Sequence, residues 1–237
     1  MRNRLLSLTP DHVARAHRAI EDPGPNPHIL YHSDADYDAI VEHILSSRPN
    51  NDEMWLFAYG SLIWKPEVDH LAAQNGVARG WHRSFCFKIT RFRGSREQPG
   101  LMMALDRGGQ CRGVLYRLDT TDPGTTLRRL FRREFTSKPP NSMPRWITVQ
   151  SERGPLSALT FVMNRQSPAY VGKLPLEAVA HVLASACGHW GSGAEYLLNT
   201  VQHLSERGIH DSNLWRLQQL VAARLDLTAE KVLPSGN

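Results

Sequence analysis

From Trp55 to Tyr59 the chain reads Trp-Leu-Phe-Ala-Tyr, stops at Gly60 and continues Ser61-Leu62-Ile63-Trp64. Large apolar side chains occupy both alternating sets of positions, so the run predicts a short strand buried on both faces. The sheet that holds such a strand must be covered on both sides, and this constrains the rest of the chain. The Gly60-Ser61 step that follows predicts a tight turn, where backbone N–H groups can point into a cleft and a ligand can approach without a side chain in the way. That is a candidate anion or oxyanion site. An ordinary buried strand ending in glycine reads the same way at this point.

A chain of 237 residues, 41% of them hydrophobic, is long enough for one sizeable core. We read one main domain over 54–237 and an N-terminal helical extension over 1–53. No apolar run reaches the length of a membrane span, and the N-terminus lacks an apolar segment followed by a small-residue cleavage site, so the expected location is cytoplasmic. Cys86, Cys111 and Cys187 lie far apart with no Cys-x-x-Cys spacing, which predicts buried reduced thiols. The formal charge of +5 permits nucleic-acid binding, but only Arg128, Arg129, Arg132 and Arg133 cluster, and no aromatic-and-basic motif accompanies them. A basic surface serves equally to concentrate an anionic small molecule.

The pattern along the chain predicts a helix from Pro10 to Glu21, capped by Thr9 or Asp11, and a break at Pro23-Gly24-Pro25-Asn26-Pro27. A second helix from Asp36 to Ser46 carries Tyr37, Ile40, Val41 and Ile44 on one face, and the segment Arg48-Pro49-Asn50-Asn51-Asp52 links it to the key strand. Two such short helices have little core of their own and are expected to pack on the main domain. Beyond the key strand, Trp81, Phe85, Phe87 and Ile89 alternate, Leu101–Leu105 is apolar, and Val114–Leu118 follows a Gly108-Gly109 step that reads as a hairpin turn. Strands are also expected over Trp146–Val149 and Ala158–Met163. The whole predicts a mostly antiparallel or mixed sheet able to close into a small barrel. Leu176, Val179, Ala180, Leu183, Ala184 and Cys187 then form a helical stripe, and helices over Ala194–Arg207 and Asn213–Leu225 complete the chain.

One carboxylate breaks the pattern. In the helix predicted over Pro123–Phe135, Leu127, Leu130 and Phe131 lie at i, i+3 and i+4, and the next position of that stripe is Glu134. Arg128, Arg129, Arg132 and Arg133 take the other faces. A carboxylate turned toward an apolar layer loses hydration, which raises its pKa and suits it to act as a base near neutral pH. A residue at the stripe's edge, paired with an arginine, fits the same spacing.

No metal constellation is visible: the eleven histidines include no His-Glu-x-x-His, and His82 falls on the polar face of its strand. Ser61 lacks the Gly-x-Ser-x-Gly elbow of a hydrolase nucleophile. Trp55, Trp64 and Trp81 read as core.

Tyr59-Gly60-Ser61-Leu62 within its Trp-rich strand resembles the signature of the γ-glutamylcyclotransferases, in particular the ChaC-like branch that acts on glutathione. The resemblance continues, in order, through Gly80-Trp81-His82-Arg83-Ser84-Phe85-Cys86, Arg93-Gly94-Ser95, Gln98-Pro99-Gly100, Gly113-Val114-Leu115-Tyr116 and Arg132-Arg133-Glu134. It ends with Pro168-Ala169-Tyr170-Val171-Gly172 and Gly193-Ala194-Glu195-Tyr196-Leu197-Leu198, so it spans about Trp55 to Arg207. The fold it implies is α+β, a small mixed β-barrel with flanking helices. The activity it implies is cleavage of glutathione to 5-oxoproline and Cys-Gly, with Glu134 as acid/base. Leu56, Phe57, Ala58, Tyr59, Gly60, Ser61, Leu62 and Tyr170 are the implied substrate-binding residues. The partner is then a small molecule, with no nucleic acid, no membrane, no cofactor and no metal.

The chain departs from the family at Ala58, where glycine is usual, at Leu101, where many members carry arginine, and over Phe135–Ser142, where a Gly-rich segment is common. Ala58 requires a backbone that avoids positive φ. The altered segment leaves open the same chemistry on another γ-glutamyl compound, and a non-catalytic γ-glutamyl-binding regulator is the reading from a different class.

Overall fold

The computed structural model describes residues 6–49 and 53–232; residues 50–52 of the expected linker lie outside them. In chain order the elements are α1 (Pro10–Ala16), β1 (Leu30–Tyr31), α2 (Asp34–Ser46), β2 (Trp55–Ala58), a 3₁₀ turn (Ser61–Ile63), β3 (His70–Ile89), β4 (Gly100–Leu118) and α3 (Pro123–Glu134). There follow β5 (Ser137–Lys138), β6 (Ser142–Ser151), β7 (Gly154–Met163), α4 (Leu176–Ser185), β8 (Cys187–Gly188), β9 (Gly191–Ser192), α5 (Gly193–Glu206) and α6 (Ser212–Val232). None of the described helices is long and apolar enough to cross a membrane.

The contacts gather into two units. The first holds the described parts of 25–84 and 103–172, and its centre is a closed barrel in the order β2-β4-β3-β6-β7. Pairing is mixed: β2 runs antiparallel to β4 and parallel to β7, while β6 and β7 form a ten-pair antiparallel hairpin. All four residues of β2 are buried, as the unbroken apolar run requires. Trp55, Phe57 and Tyr59 join Leu105, Leu115, Val149 and Val162 in one core cluster. Glycine makes the close approach of β4 to β2 possible, because a Cβ on Gly113 would sit 2.4 Å from the Ala58 carbonyl oxygen. Ala58 itself is not among the residues with positive φ, so alanine is accommodated where the family prefers glycine.

The second unit holds the described parts of 1–24, 85–102 and 173–237, with α1, α4, α5 and α6 as its helices. The first fifty-three residues therefore give α1 to one unit and α2 to the other. Cys86, Cys111 and Cys187 are all buried and in no disulfide, as their spacing predicts.

Three local expectations need correction. Gly108 and Gly109 do have positive φ, 109° and 67°, but β4 runs on through them, so they bend one long strand rather than reverse it. The first helix ends at Ala16 instead of Glu21. Beyond it Arg18 is claimed by the second unit, its carbonyl accepting from the Cys187 thiol at 3.5 Å and its guanidinium donating to the Ser185 carbonyl. The last helix runs on to Val232, past the expected Leu225.

Candidate active site

The site is assembled entirely within the barrel unit, from the end of β2, the 3₁₀ turn and the C-terminal residue of α3. Asp122 caps α3 by accepting from the Thr125 N–H at 3.0 Å, with Pro123 in its first turn. Leu127, Leu130 and Phe131 are the buried stripe, each at most 1% exposed. The outward arginines take surface partners: Arg128 reaches Asp38 and Arg132 reaches Asp34, both at 2.6 Å. Glu134 follows the stripe inward, its side chain 17% exposed. Burial pushes its carboxyl up to about 7 from the ordinary 4.5, with the Arg133 guanidinium opposing and the Glu67 carboxylate adding to the rise.

Phe135 locks the chain directly after the carboxylate. Its ring is 4% exposed and lies 5.4 Å from Phe131 and 6.3 Å from Phe161, and its carbonyl accepts from the Tyr37 hydroxyl at 3.0 Å. Tyr37 belongs to α2, so the N-terminal segment buttresses the end of α3. The altered segment after Phe135 is tied to the same region. Ser137 and Lys138 pair with Tyr31 and Leu30, and the His32 N–H donates to the Thr136 carbonyl at 2.9 Å.

The turn is held through its carbonyls and side chains. Arg83, 8% exposed, donates from Nε to the Tyr59 carbonyl at 2.6 Å and from its second nitrogen to the Arg112 carbonyl. Because the peptide is planar and trans, a Tyr59 carbonyl pinned toward Arg83 turns the Gly60 N–H the opposite way. The Tyr116 hydroxyl donates to the Ile63 carbonyl at 3.0 Å, and Thr160 Oγ1 donates to the Phe57 carbonyl at 2.9 Å. The amides of Ile63, Trp64 and Lys65 find acceptors in Gly60 and Ser61. Those of Ser61 and Leu62, at the start of the turn, have no intrahelical acceptor, and no side chain caps the turn. Donors without acceptors at a helical start are a ready site for negative charge.

Arg133 joins the two halves. Its guanidinium donates to the Lys65 carbonyl and to Ser61 Oγ at 3.3 Å, and it lies 3.3 Å from Glu134 Oε1 and 3.5 Å from Glu67 Oε2. Helical spacing assigns Arg133 to a charged outer face, yet its long side chain reaches back to the turn and is 16% exposed. Among the residues singled out from sequence, Tyr59, Gly60, Ser61, Leu62 and Glu134 are thus drawn into one constellation. Leu56, Phe57 and Ala58 are buried strand residues that carry the turn. Tyr170 is anchored in a second polar cluster, its hydroxyl donating to Asp106 Oδ2 at 3.0 Å.

Sequence reasoning missed Arg83, Arg133 and Tyr37. Arg83 left a signal, since it falls in the apolar register between Trp81 and Phe85, where a cation is out of place unless it has a buried task. His82, on the other face, contacts the Gly108 carbonyl at 3.0 Å through Nδ1. No group of three or more His, Cys, Asp or Glu suited to a metal ion occurs among the described residues.

A closed, mixed five-stranded barrel accompanied by helices is the fold of the γ-glutamylcyclotransferases. A glutathione-specific γ-glutamyl cyclotransferase from yeast superposes with a TM-score of 0.66 over 73% of this chain and 97% of its own, at 21% identity. The chain belongs to the ChaC-like protein family, whose model matches residues 54–224. Among curated relatives, the glutathione-specific γ-glutamylcyclotransferase of Escherichia coli K12 is 34% identical over 72% of this chain and 73% of its own length. Human glutathione-specific γ-glutamylcyclotransferase 1 is also 34% identical, over 63% and 71%.

Proposed function

We propose that this chain is a glutathione-specific γ-glutamylcyclotransferase, a lyase that converts glutathione to 5-oxoproline and Cys-Gly without a cofactor, in the cytoplasm. The observation that carries the reading is Glu134, a carboxylate at the end of a helix whose pKa stands at about 7 and whose arginine neighbour also grips the donor-bearing turn. The family membership and the named activities of its relatives support the same substrate.

The chemistry follows from what the substrate lacks. Its α-amino group is protonated near neutral pH and cannot attack. Glu134 takes one proton, and the freed nitrogen adds to the γ-carbonyl carbon, closing a five-membered ring. The carbonyl π electrons move to oxygen, and the amides of Gly60, Ser61 and Leu62 are the donors for that charge. Collapse of the oxyanion breaks the bond from the γ-carbon to the cysteine nitrogen, which leaves with the proton returned by Glu134; the carboxylate so regenerated takes the second proton from the ring nitrogen and passes it to the freed amine, so that 5-oxoproline keeps one N–H and Cys-Gly departs as an ammonium. The nucleophile belongs to the substrate, so Ser61 has no covalent role and serves as an anchor for Arg133. Tyr170 and the carriers Leu56, Phe57 and Ala58 complete the proposed substrate-binding set.

The test is to incubate the pure protein with glutathione and assay 5-oxoproline and Cys-Gly together, in equal amounts. N-acetylated glutathione, with its nucleophile blocked, should be inert. Comparing kcat/KM for glutathione with that for γ-glutamyl-alanine and γ-glutamyl-ε-lysine tests the substrate apart from the reaction; a preference for either alternative keeps the cyclisation and overturns glutathione.

A further inference from the structure

The helical unit contains a cavity of about 430 Å³ that the chemistry above does not use. Three arginines line it, Arg15 from α1, Arg18 just beyond α1 and Arg224 from α6, together with His181 of α4. Only one of the three is matched by a carboxylate. Asp226 lies 2.8 Å from Arg15 and 3.0 Å from His12, so its charge is already shared. Arg18 and Arg224 have no carboxylate partner among the described residues.

Both guanidiniums make hydrogen bonds within the unit. Arg18 donates to Gln98 Oε1 at 2.7 Å and to the Ser185 carbonyl, and Arg224 donates to His181 Nδ1 at 3.4 Å. None of these partners is a carboxylate, so the charge of both heads stays uncompensated. Holding like charges at one cavity costs free energy and raises the local concentration of anions. Arginine forks held in this way suit the planar, multi-oxygen face of a phosphate or carboxylate. The wall also carries apolar side chains, Ala16 at 8% and Leu225 at 7% exposure together with Ala184, beside the polar Gln98, Ser185 and Thr228. Arg15 and Arg18 lie outside residues 54–224, the part shared with the family. The cavity is thus completed by residues outside the part that the family model matches.

We propose that this cavity is a binding site for a small organic anion, its phosphate or carboxylate group held by Arg18 and Arg224 and its apolar body on Ala16, Ala184 and Leu225. The site stands apart from the reading of Glu134, so failure of either leaves the other intact. The experiment is calorimetric titration of the full chain at low salt with two probes, phenyl phosphate and citrate, repeated on Arg18→Gln/Arg224→Gln and on each single variant. At least one probe should bind the wild type, weaken as salt is added, and lose roughly tenfold or more in affinity in the double variant, about 1.4 kcal/mol. Binding of phenyl phosphate alone assigns the site to phosphorylated ligands, and binding of citrate alone to polycarboxylates. Turnover of glutathione at saturation should be unchanged in all three variants, which also reports that they fold. No heat with either probe at millimolar concentration overturns the proposal, as does affinity in the variants equal to that of the wild type.

Discussion

Glu134 and Asp106 are both acids taken out of water in the barrel unit, and their titrations move in opposite directions. Burial pushes both upward. Asp106, 4% exposed, answers with hydrogen bonds: Arg165 Nε at 2.7 Å, the Arg107 N–H at 2.8 Å and the Tyr170 hydroxyl at 3.0 Å. Together they outweigh desolvation and hold its carboxyl below the usual range. Glu134 has one cation at 3.3 Å, shared with a second carboxylate, and its pKa rises to about 7. Burial alone therefore does not make a base. On the proposed reading of Glu134, what makes one is burial with too few donors: three donors surround Asp106, and a single shared cation stands by Glu134.

Glu134→Gln breaks the comparison most severely. The amide keeps the shape and cannot take a proton, so kcat should fall by roughly 10²-fold or more while the circular dichroism spectrum is retained. Near wild-type turnover would dismiss Glu134 as the base. The same variant tests the linkage. A carboxyl whose folded pKa lies near 7 and whose unfolded pKa lies near 4.5 favours folding while it is protonated. That contribution is lost as pH rises between those values, amounting to about 3 kcal/mol at most. Urea unfolding should therefore show the wild type losing ground to Glu134→Gln between pH 5 and pH 8.

Asp106→Asn should do the reverse. Asp106 has a lowered folded pKa, so its contribution is present above the unfolded value and disappears as pH falls through the folded one. At pH 7 the asparagine leaves Arg165 without its carboxylate and should cost about 1–3 kcal/mol, measured by the same unfolding curves. Stability equal to the wild type at pH 7 would mean that the three bonds are not what keeps Asp106 ionised.

The half of the contrast that could be read from sequence is the half that obeys local periodicity. Glu134 falls on the helical stripe of Leu127, Leu130 and Phe131, and the buried run ending at Gly60 announces the turn. The partners of each carboxylate could not be read this way. Tyr37 meets Phe135, Arg83 meets Tyr59 and Arg165 meets Asp106 across 98, 24 and 59 positions of sequence. Arg133 was hidden for a different reason: spacing fixes where a Cα faces, and a long side chain at a helix end can still double back. Gly108-Gly109 misleads because positive φ is needed for bending a strand as well as for reversing it. The sheet that tells the two apart is made by strands distant in sequence.

Arg133→Gln removes the one cation that restrains Glu134 and loosens the turn at Ser61 and Lys65. The acid limb of the rate profile should move to higher pH, and kcat should fall about tenfold from misplacement of the donors. An unchanged limb would mean that Arg133 holds the turn without acting on the base.

Glu67→Gln carries the smallest effect and the sharpest sign. The Glu67 carboxylate lies 3.5 Å from Arg133 and 3.0 Å from Lys65, and it raises the Glu134 pKa by repulsion across the shared guanidinium. Neutralising it removes that repulsion and leaves Arg133 freer to stabilise the Glu134 anion, so both consequences point the same way. The acid limb of kcat/KM should move to lower pH, opposite to Arg133→Gln. Because the Glu67 side chain is 40% exposed, the shift should be modest and should shrink as salt is raised. Glutamine preserves the length of the side chain and the backbone there, where Glu67 has a φ of 53°, so the turn itself should be undisturbed. A shift to higher pH, or none at low salt, would show that the base is tuned by its burial alone and that the pair of acids flanking Arg133 does not act as a unit.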